Sequence, residues 1–141
     1  SLSSCGYTPI YSDKNNIDYS IVVLEMKGDR DINNFLKSNL NRYSQNNNPK
    51  KIMIKSNSSY KKNVSSKTKK GSASNYKIDI VIIFNVDLNG KERILSFSEQ
   101  FIMKKIDDFF EQKNYEKNIK KNITNSISEE LILVLSKNND T

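Results

Sequence analysis

The sequence predicts a single α+β domain with the element order β-α-β-β-β-α. Apolar residues alternate with polar ones from Tyr76 to Leu88, which indicates a strand, and an Asn-Gly pair directly after it indicates a hairpin turn. Near the end of the chain, apolar residues recur at helical spacing through residues 107–137. Together with the earlier elements, these patterns predict a roughly four-stranded, mostly antiparallel sheet with two helices packed on one face. A chain of 141 residues suits one domain.

The first half of the chain contributes a strand, a helix and a second strand. Residues 17–28 are rich in β-branched side chains and end at a glycine, which predicts a strand. Residues 29–45 carry apolar side chains at helical spacing after Asp29, a plausible N-cap, and "NNNP" (46–49) ends this helix. Residues 50–64 begin as a strand and then turn polar, and we expect residues 65–74 to form a basic loop.

Two long strands follow. The alternating positions of the first are Tyr76, Ile78, Ile80, Ile82, Phe84, Val86 and Leu88. Val81 and Ile83 lie in the middle of the opposite face and predict local cover there as well. Because the "LNGK" turn (88–91) is too short for a crossover, the next strand, 92–106, must be an antiparallel neighbour.

The second helix is predicted over residues 107–137. Its apolar stripe consists of Tyr115, Ile119, Ile123, Ile127, Leu131 and Val134. Phe109 and Phe110 fall off this stripe, so we expect the regular helix to begin after them. The "LILVL" segment (131–135) is apolar on all sides, which predicts burial on more than one side.

Composition excludes several kinds of chemistry. The chain has no histidine and one cysteine, so it cannot form an internal disulfide, a conventional zinc site or a histidine-based catalytic triad. It also lacks an aspartate-rich calcium loop. We therefore expect no enzyme activity, no metal and no cofactor.

The net charge of +7 is unevenly distributed. Enrichment in Lys, Asn and Ile is what an A+T-rich genome would impose, so the total charge alone says little about partners. However, no acidic residue occurs between Asp31 and Asp79, and such a local field would attract phosphates or an anionic lipid surface. If residues 50–64 and 76–88 form a hairpin, five lysines gather at or near its tip, and we predict that they bind an anion: Lys61, Lys62, Lys67, Lys69 and Lys70. The alternative is a solvated loop.

The start of the chain has the pattern of a bacterial lipobox. In "LSSC" (2–5), a leucine and two small residues precede Cys5, whose thiol would carry the lipid. This pattern predicts that residues 1–4 are a signal-peptide remnant and that residues 5–16 form a lipidated tether. The domain then spans residues 17–137, and residues 138–141 are a C-terminal tail. The alternative for Cys5 is a buried free cysteine.

The segment "CGYTPIY" (5–11) resembles the mature N-terminus of the lipopolysaccharide-assembly lipoprotein LptE family. The resemblance continues through the first strand into "DR" (29–30), and then to the strand pair and the C-terminal helix. It implies an outer-membrane protein, lipid-anchored on the periplasmic side. Such a protein would plug and assist the assembly of an LptD-like β-barrel and bind lipopolysaccharide on its way to the outer leaflet.

Two other functions compete with this one. Residues 29–137 have the α-β-β-β-α order of a double-stranded-RNA-binding domain, with Lys120 and Lys121 on the second helix. That helix begins with acidic residues, and a lipobox does not suit a cytosolic RNA binder, so we expect no nucleic-acid partner. The remaining alternative is an envelope lipoprotein with an unrelated binding role.

Overall fold

A computed structural model describes residues 17–44 and 48–137 of the chain. The elements are β1 (Ser20–Gly28), α1 (Arg30–Ser44), β2 (Lys51–Lys67), β3 (Ala73–Leu88), β4 (Lys91–Lys104) and α2 (Phe109–Lys137). This order confirms the predicted single α+β domain.

The four strands form one sheet in the order β1-β2-β3-β4. The crossover through α1 makes β1 parallel to β2, whereas β2-β3 and β3-β4 are antiparallel hairpins. In the last of these pairs, Val86 lies opposite Arg93 and Leu88 lies opposite Lys91. The sheet is therefore mostly antiparallel, as predicted.

The core lies between one face of the sheet and the two helices. On β3 the even-numbered residues from Ile78 to Val86 are buried, and they belong to one apolar cluster with the α2 residues Ile119, Ile123, Ile127 and Leu131. The other face of the sheet is open: Ile83 is 42% exposed. The expected local cover of Ile83 is therefore wrong, because both helices pack on the opposite side.

Helix α1 begins where the sequence places its cap. The Ile32 amide donates a hydrogen bond of 2.9 Å to Asp29 Oδ1, the interaction expected of an N-cap aspartate. Just before it, Gly28 has a φ of +103°, and a Cβ at that position would lie 1.8 Å from the Ser58 carbonyl oxygen. Only glycine allows β1 to turn into α1 this close to β2.

Helix α2 begins at Phe109 rather than after Phe110. The Asp108 carboxylate accepts hydrogen bonds from the Phe110 and Glu111 amides, so the cap sets the start even though Phe109 and Phe110 are 65% and 77% exposed. At the other end, Leu133 is 43% exposed. The expectation that the "LILVL" segment is buried on more than one side is wrong for this residue.

Strand β2 is longer than its sequence indicates. It runs to Lys67, so the connection to β3 is only residues 68–72 instead of the predicted loop 65–74. Its pairing with β1 ends at Ser58, opposite Gly28. We call Ser59–Lys67 together with the facing Ala73–Val81 of β3 the hairpin extension, and the remainder, which includes β1 and α1, the basal part.

Candidate anion-binding surface at the hairpin tip

The turn at the end of the hairpin extension is fixed by local hydrogen bonds. The Thr68 amide donates to the Ser72 carbonyl oxygen at 2.7 Å, and the Gly71 amide donates to the Thr68 carbonyl oxygen at 3.0 Å. Gly71 has a φ of +87°, in the left-handed region that glycine favours. This turn holds Lys69 and Lys70 at the apex, and Lys67 is the last residue of β2.

Two further lysines reach the same end of the sheet. Lys104 is the last residue of β4 and lies opposite Asn75, and the Lys105 amide donates to the Ser74 carbonyl oxygen at 3.0 Å. The sequence alone does not group either lysine with the hairpin turn, because only the antiparallel pairing of β3 with β4 brings them here. We define five exposed side chains as the basic tip: Lys67, Lys69, Lys70, Lys104 and Lys105.

The basic tip has the electrostatic character of an anion site. A shallow cleft of about 580 Å³ is lined by Lys69, Lys70 and Lys105, with the hydroxyl-bearing Ser72 and one acid, Asp107, beside them. None of the five tip lysines forms an ion pair with another residue in ranges 17–44 and 48–137. Lysine ammonium groups are flexible hydrogen-bond donors to phosphate oxygens, so the surface suits a phosphorylated or otherwise anionic partner.

Lys61 and Lys62 lie further down β2, away from the basic tip. Lys62 and Lys67 are five positions apart, a distance of about 17 Å along an extended strand. Lys61 is opposite Asp79 on the open face of the sheet. Lys62 is on the helix-covered face and forms a 3.1 Å ion pair with Glu116. The structure therefore gathers three of the five predicted lysines, and anion binding by any of them stays a prediction.

A polar network on the helix-covered face includes Lys62 and Lys120. The Tyr60 hydroxyl donates to Glu116 Oε1 at 2.7 Å, while Lys120 Nζ lies 3.0 Å from Asp29 Oδ2 and 3.1 Å from Asp31 Oδ2. Lys120 Nζ also lies 4.3 Å from the centroid of the Tyr60 ring. The network connects the start of α1, the middle of β2 and α2.

Burial and charge shift two pKa values in this network. Burial and then the hydrogen bond to Glu116 raise the pKa of Tyr60, because both disfavour the phenolate. Burial acts to lower the pKa of Lys120, but its hydrogen bonds to Asp29 and Asp31 leave it raised. Lys120 is consequently a paired, largely buried cation with an exposed side-chain fraction of 13%. It is not positioned to contact an RNA phosphate.

Several predicted features lie outside the described residues. These are Cys5, the signal remnant 1–4, the tether 5–16 and the tail 138–141, so lipidation stays a prediction. Of the two described helices, neither is long and apolar enough to cross a membrane. Residues 17–44 and 48–137 contain no group of three or more acidic, histidine or cysteine side chains that could hold a metal ion.

Comparison with known structures places this fold among bacterial lipoproteins. Rare lipoprotein B from Shewanella oneidensis has a TM-score of 0.55 at 14% identity, covering 84% of this chain and 96% of that chain. Lipoprotein B from Nitrosomonas europaea has a TM-score of 0.59 at 11% identity, covering 89% and 87%. A minor lipoprotein from Acinetobacter baumannii has a TM-score of 0.56 at 9% identity, covering 83% and 93%.

The chain has the fold of these lipoproteins. The match extends over nearly the whole length of both partners in each comparison, so it concerns the complete domain rather than a shared hairpin. No model of a known protein family matches the sequence, and no curated protein matches it significantly. The similarity is therefore one of architecture.

Proposed function

We propose that this protein is an outer-membrane lipoprotein of the LptE type, held on the periplasmic side by acyl chains on Cys5. In this role it plugs an LptD-like β-barrel, assists the assembly of that barrel, and binds lipopolysaccharide during its transport to the outer leaflet. The observation that carries the proposal is the whole-domain fold shared with lipoproteins of three bacteria. The "LSSC" pattern and the "CGYTPIY" segment support it from the sequence.

The basic tip supplies a contact for lipopolysaccharide. Lipid A carries phosphates on a sugar headgroup, and the five exposed lysines of the tip offer charge-assisted hydrogen bonds to such groups. The tip lies at one end of an elongated sheet, where an inserted domain can present it to a ligand entering the barrel. The polar, lysine-rich side chains of the hairpin extension also suit the polar lumen of a large barrel.

Affinity purification from membranes tests the anchor and the partner together. The full chain, tagged at its C-terminus and produced in its own cells, should be recovered from the outer membrane with acyl mass on Cys5. A large β-barrel protein should co-purify with it. The Cys5→Ser variant should lose the acyl mass. In a detergent phase-separation assay it should move from the detergent phase to the aqueous phase.

The outcomes separate the proposal from its alternatives. An acylated protein without a barrel partner would favour an envelope lipoprotein with an unrelated binding role. An unmodified Cys5 thiol in the membrane-derived protein would contradict the lipoprotein proposal itself. Recovery of nucleic acid with the unmodified protein would instead favour the RNA-binding alternative.

A further inference from the structure

A second cleft lies at the end of the sheet opposite the basic tip. It has a volume of about 650 Å³, within the range of about 300–1,000 Å³ typical of small-molecule sites. We call it the basal cleft. Its wall is largely apolar and includes Ile52 of β2, Val86 of β3, Leu95 of β4 and Leu135, the last buried residue of α2.

Two cations face the basal cleft from the edge strand β4. Arg93 lies opposite Val86 and Lys91 lies opposite Leu88, and directly opposed residues of an antiparallel pair project from the same face. Since Val86 is only 4% exposed on the core side, Arg93 and Lys91 project to that side as well. Both side chains line the cleft.

Among the described residues, these two cations have no counter-charge around them. Neither forms an ion pair with any residue in the described part of the chain, and no acidic side chain lines the cleft. The acids of the same hairpin end, Asp87 and Glu92, are opposite each other on the other face of the sheet. The described residues thus give the cleft an apolar wall and a positively charged rim.

We infer that the basal cleft binds one acyl chain of an anionic lipid. The acyl chain would lie against the apolar wall, and the phosphate of the headgroup would pair with Arg93 and Lys91. An arginine guanidinium offers a planar, bidentate match to a phosphate, and a nearby ammonium adds a second charge-assisted bond. A neutral amphiphile would leave both cations unmatched. This site shares no residue with the basic tip, so it does not depend on the proposed function.

Titration of the full, non-acylated chain with dodecyl phosphate, kept below its micelle concentration, tests the inference. Amide chemical shifts followed by nuclear magnetic resonance should change for residues around the cleft, such as Val86, Leu95 and Leu135. Inorganic phosphate and dodecyl maltoside at the same concentrations should each bind far more weakly. Inorganic phosphate lacks the alkyl chain, and dodecyl maltoside lacks the negative charge. Equal responses to inorganic phosphate, or shifts confined to the basic tip, would overturn the inference.

Charge variants identify the residue that recognises the headgroup. Arg93→Gln should weaken dodecyl phosphate binding about tenfold, the scale expected for loss of a charge-assisted hydrogen bond, while Arg93→Lys should retain part of the affinity. Lys121→Gln removes the same charge from an exposed position of α2 that belongs to neither the cleft nor the basic tip, and it should leave the affinity unchanged.

Leu88→Trp should block the cleft and abolish binding, with its thermal unfolding checked against the wild type. If that variant fails to fold, the comparison of Arg93→Gln with the wild type still tests the inference. If Arg93→Gln binds dodecyl phosphate as tightly as the wild type, the result contradicts the site. Absence of binding in the wild type would contradict it as well, and this is the result expected if another part of the chain fills the cleft.

Discussion

The basal part and the hairpin extension are built on the same two strands but bury different amounts of them. Ile54 and Val64 both lie on the helix-covered side of β2, yet Ile54 is fully buried and Val64 is 46% exposed. The reason is that β1 and α1 stop before the extension, so only the first part of α2 covers it. On β2, backbone pairing continues where apolar packing has ended, although Ile78 and Ile80 of the facing strand are still buried.

On the β2 side of the extension, polar contacts take the place of apolar ones. Tyr60 and Lys62 point toward α2 and bond to Glu116, where Ile52 and Ile54 occupy the equivalent side of the strand lower down. A hairpin held by its backbone ladder leaves its side chains free to vary and to carry charge. We therefore expect stability to come from the basal part and anion binding from the tip.

Truncation of a core aromatic should give the largest effect. Phe84→Ala in the basal part should lower the free energy of unfolding by about 3–5 kcal/mol, because the fully buried ring leaves a cavity. Val64→Ala in the extension should cost less than about 1 kcal/mol. Urea denaturation measures both, and similar costs would contradict the division between the two regions.

Of the three positive-φ glycines among the described residues, Gly28 and Gly71 offer a backbone version of the same comparison. Gly71→Ala in the tip meets open space, so it should cost only the left-handed strain of about 1–2 kcal/mol. Gly28→Ala should cost at least about 1 kcal/mol more, because its Cβ would overlap the Ser58 carbonyl. Thermal unfolding of the two variants gives the difference, and equal costs would mean that β1 and β2 separate easily at this point.

Removal of Lys120 tests the polar network at the boundary between the regions. Lys120→Met leaves Asp29 and Asp31 without their cation and should destabilise the protein by about 1–3 kcal/mol. Lys121→Met, a change at the exposed neighbouring position, should stay within about 0.5 kcal/mol. Denaturant midpoints at neutral pH compare the two variants. An unchanged midpoint in Lys120→Met would show that the ion pairs make no net contribution to the free energy of unfolding.

The same network predicts weakening at alkaline pH. The pKa values of Tyr60 and Lys120 are raised in the folded state, so that state binds more protons than the unfolded chain once the pH exceeds about 10. Their contribution is therefore complete below that pH and is lost as the pH rises through the folded-state values. Tyr60→Phe should flatten the pH dependence of the denaturation midpoint above pH 10, and an unchanged slope would contradict the role of this hydroxyl.

The sequence predicts the buried face of β3 well and the outer end of β2 poorly, for one physical reason. The alternation of Ile78, Ile80 and Ile82 and the stripe of α2 exist because those residues are buried, so periodicity reveals them. The end of β2 buries almost nothing, and its strand conformation comes from pairing with β3, which leaves no apolar pattern.

The candidate site shows the same limit. The acid-free run includes the lysines of the β2-β3 turn, but linear proximity groups Lys61 with them although it lies on the open face of the sheet. Conversely, Lys104 and Lys105 are distant in sequence and reach the tip only through strand pairing. Lys120 is a further example. The sequence shows it beside Lys121 on the second helix, but its partners Asp29 and Asp31 lie at the start of α1.

Lipopolysaccharide binding by charge-matched variants tests the central claim most directly. One variant changes the five lysines of the basic tip to Gln, and the other changes five exposed lysines elsewhere, namely Lys37, Lys51, Lys55, Lys117 and Lys121. Each lowers the net charge from +7 by five, to +2. Titration at low and moderate salt should show that only the tip variant loses affinity and salt dependence. Equal losses in both variants would assign the binding to overall charge and contradict a site at the tip.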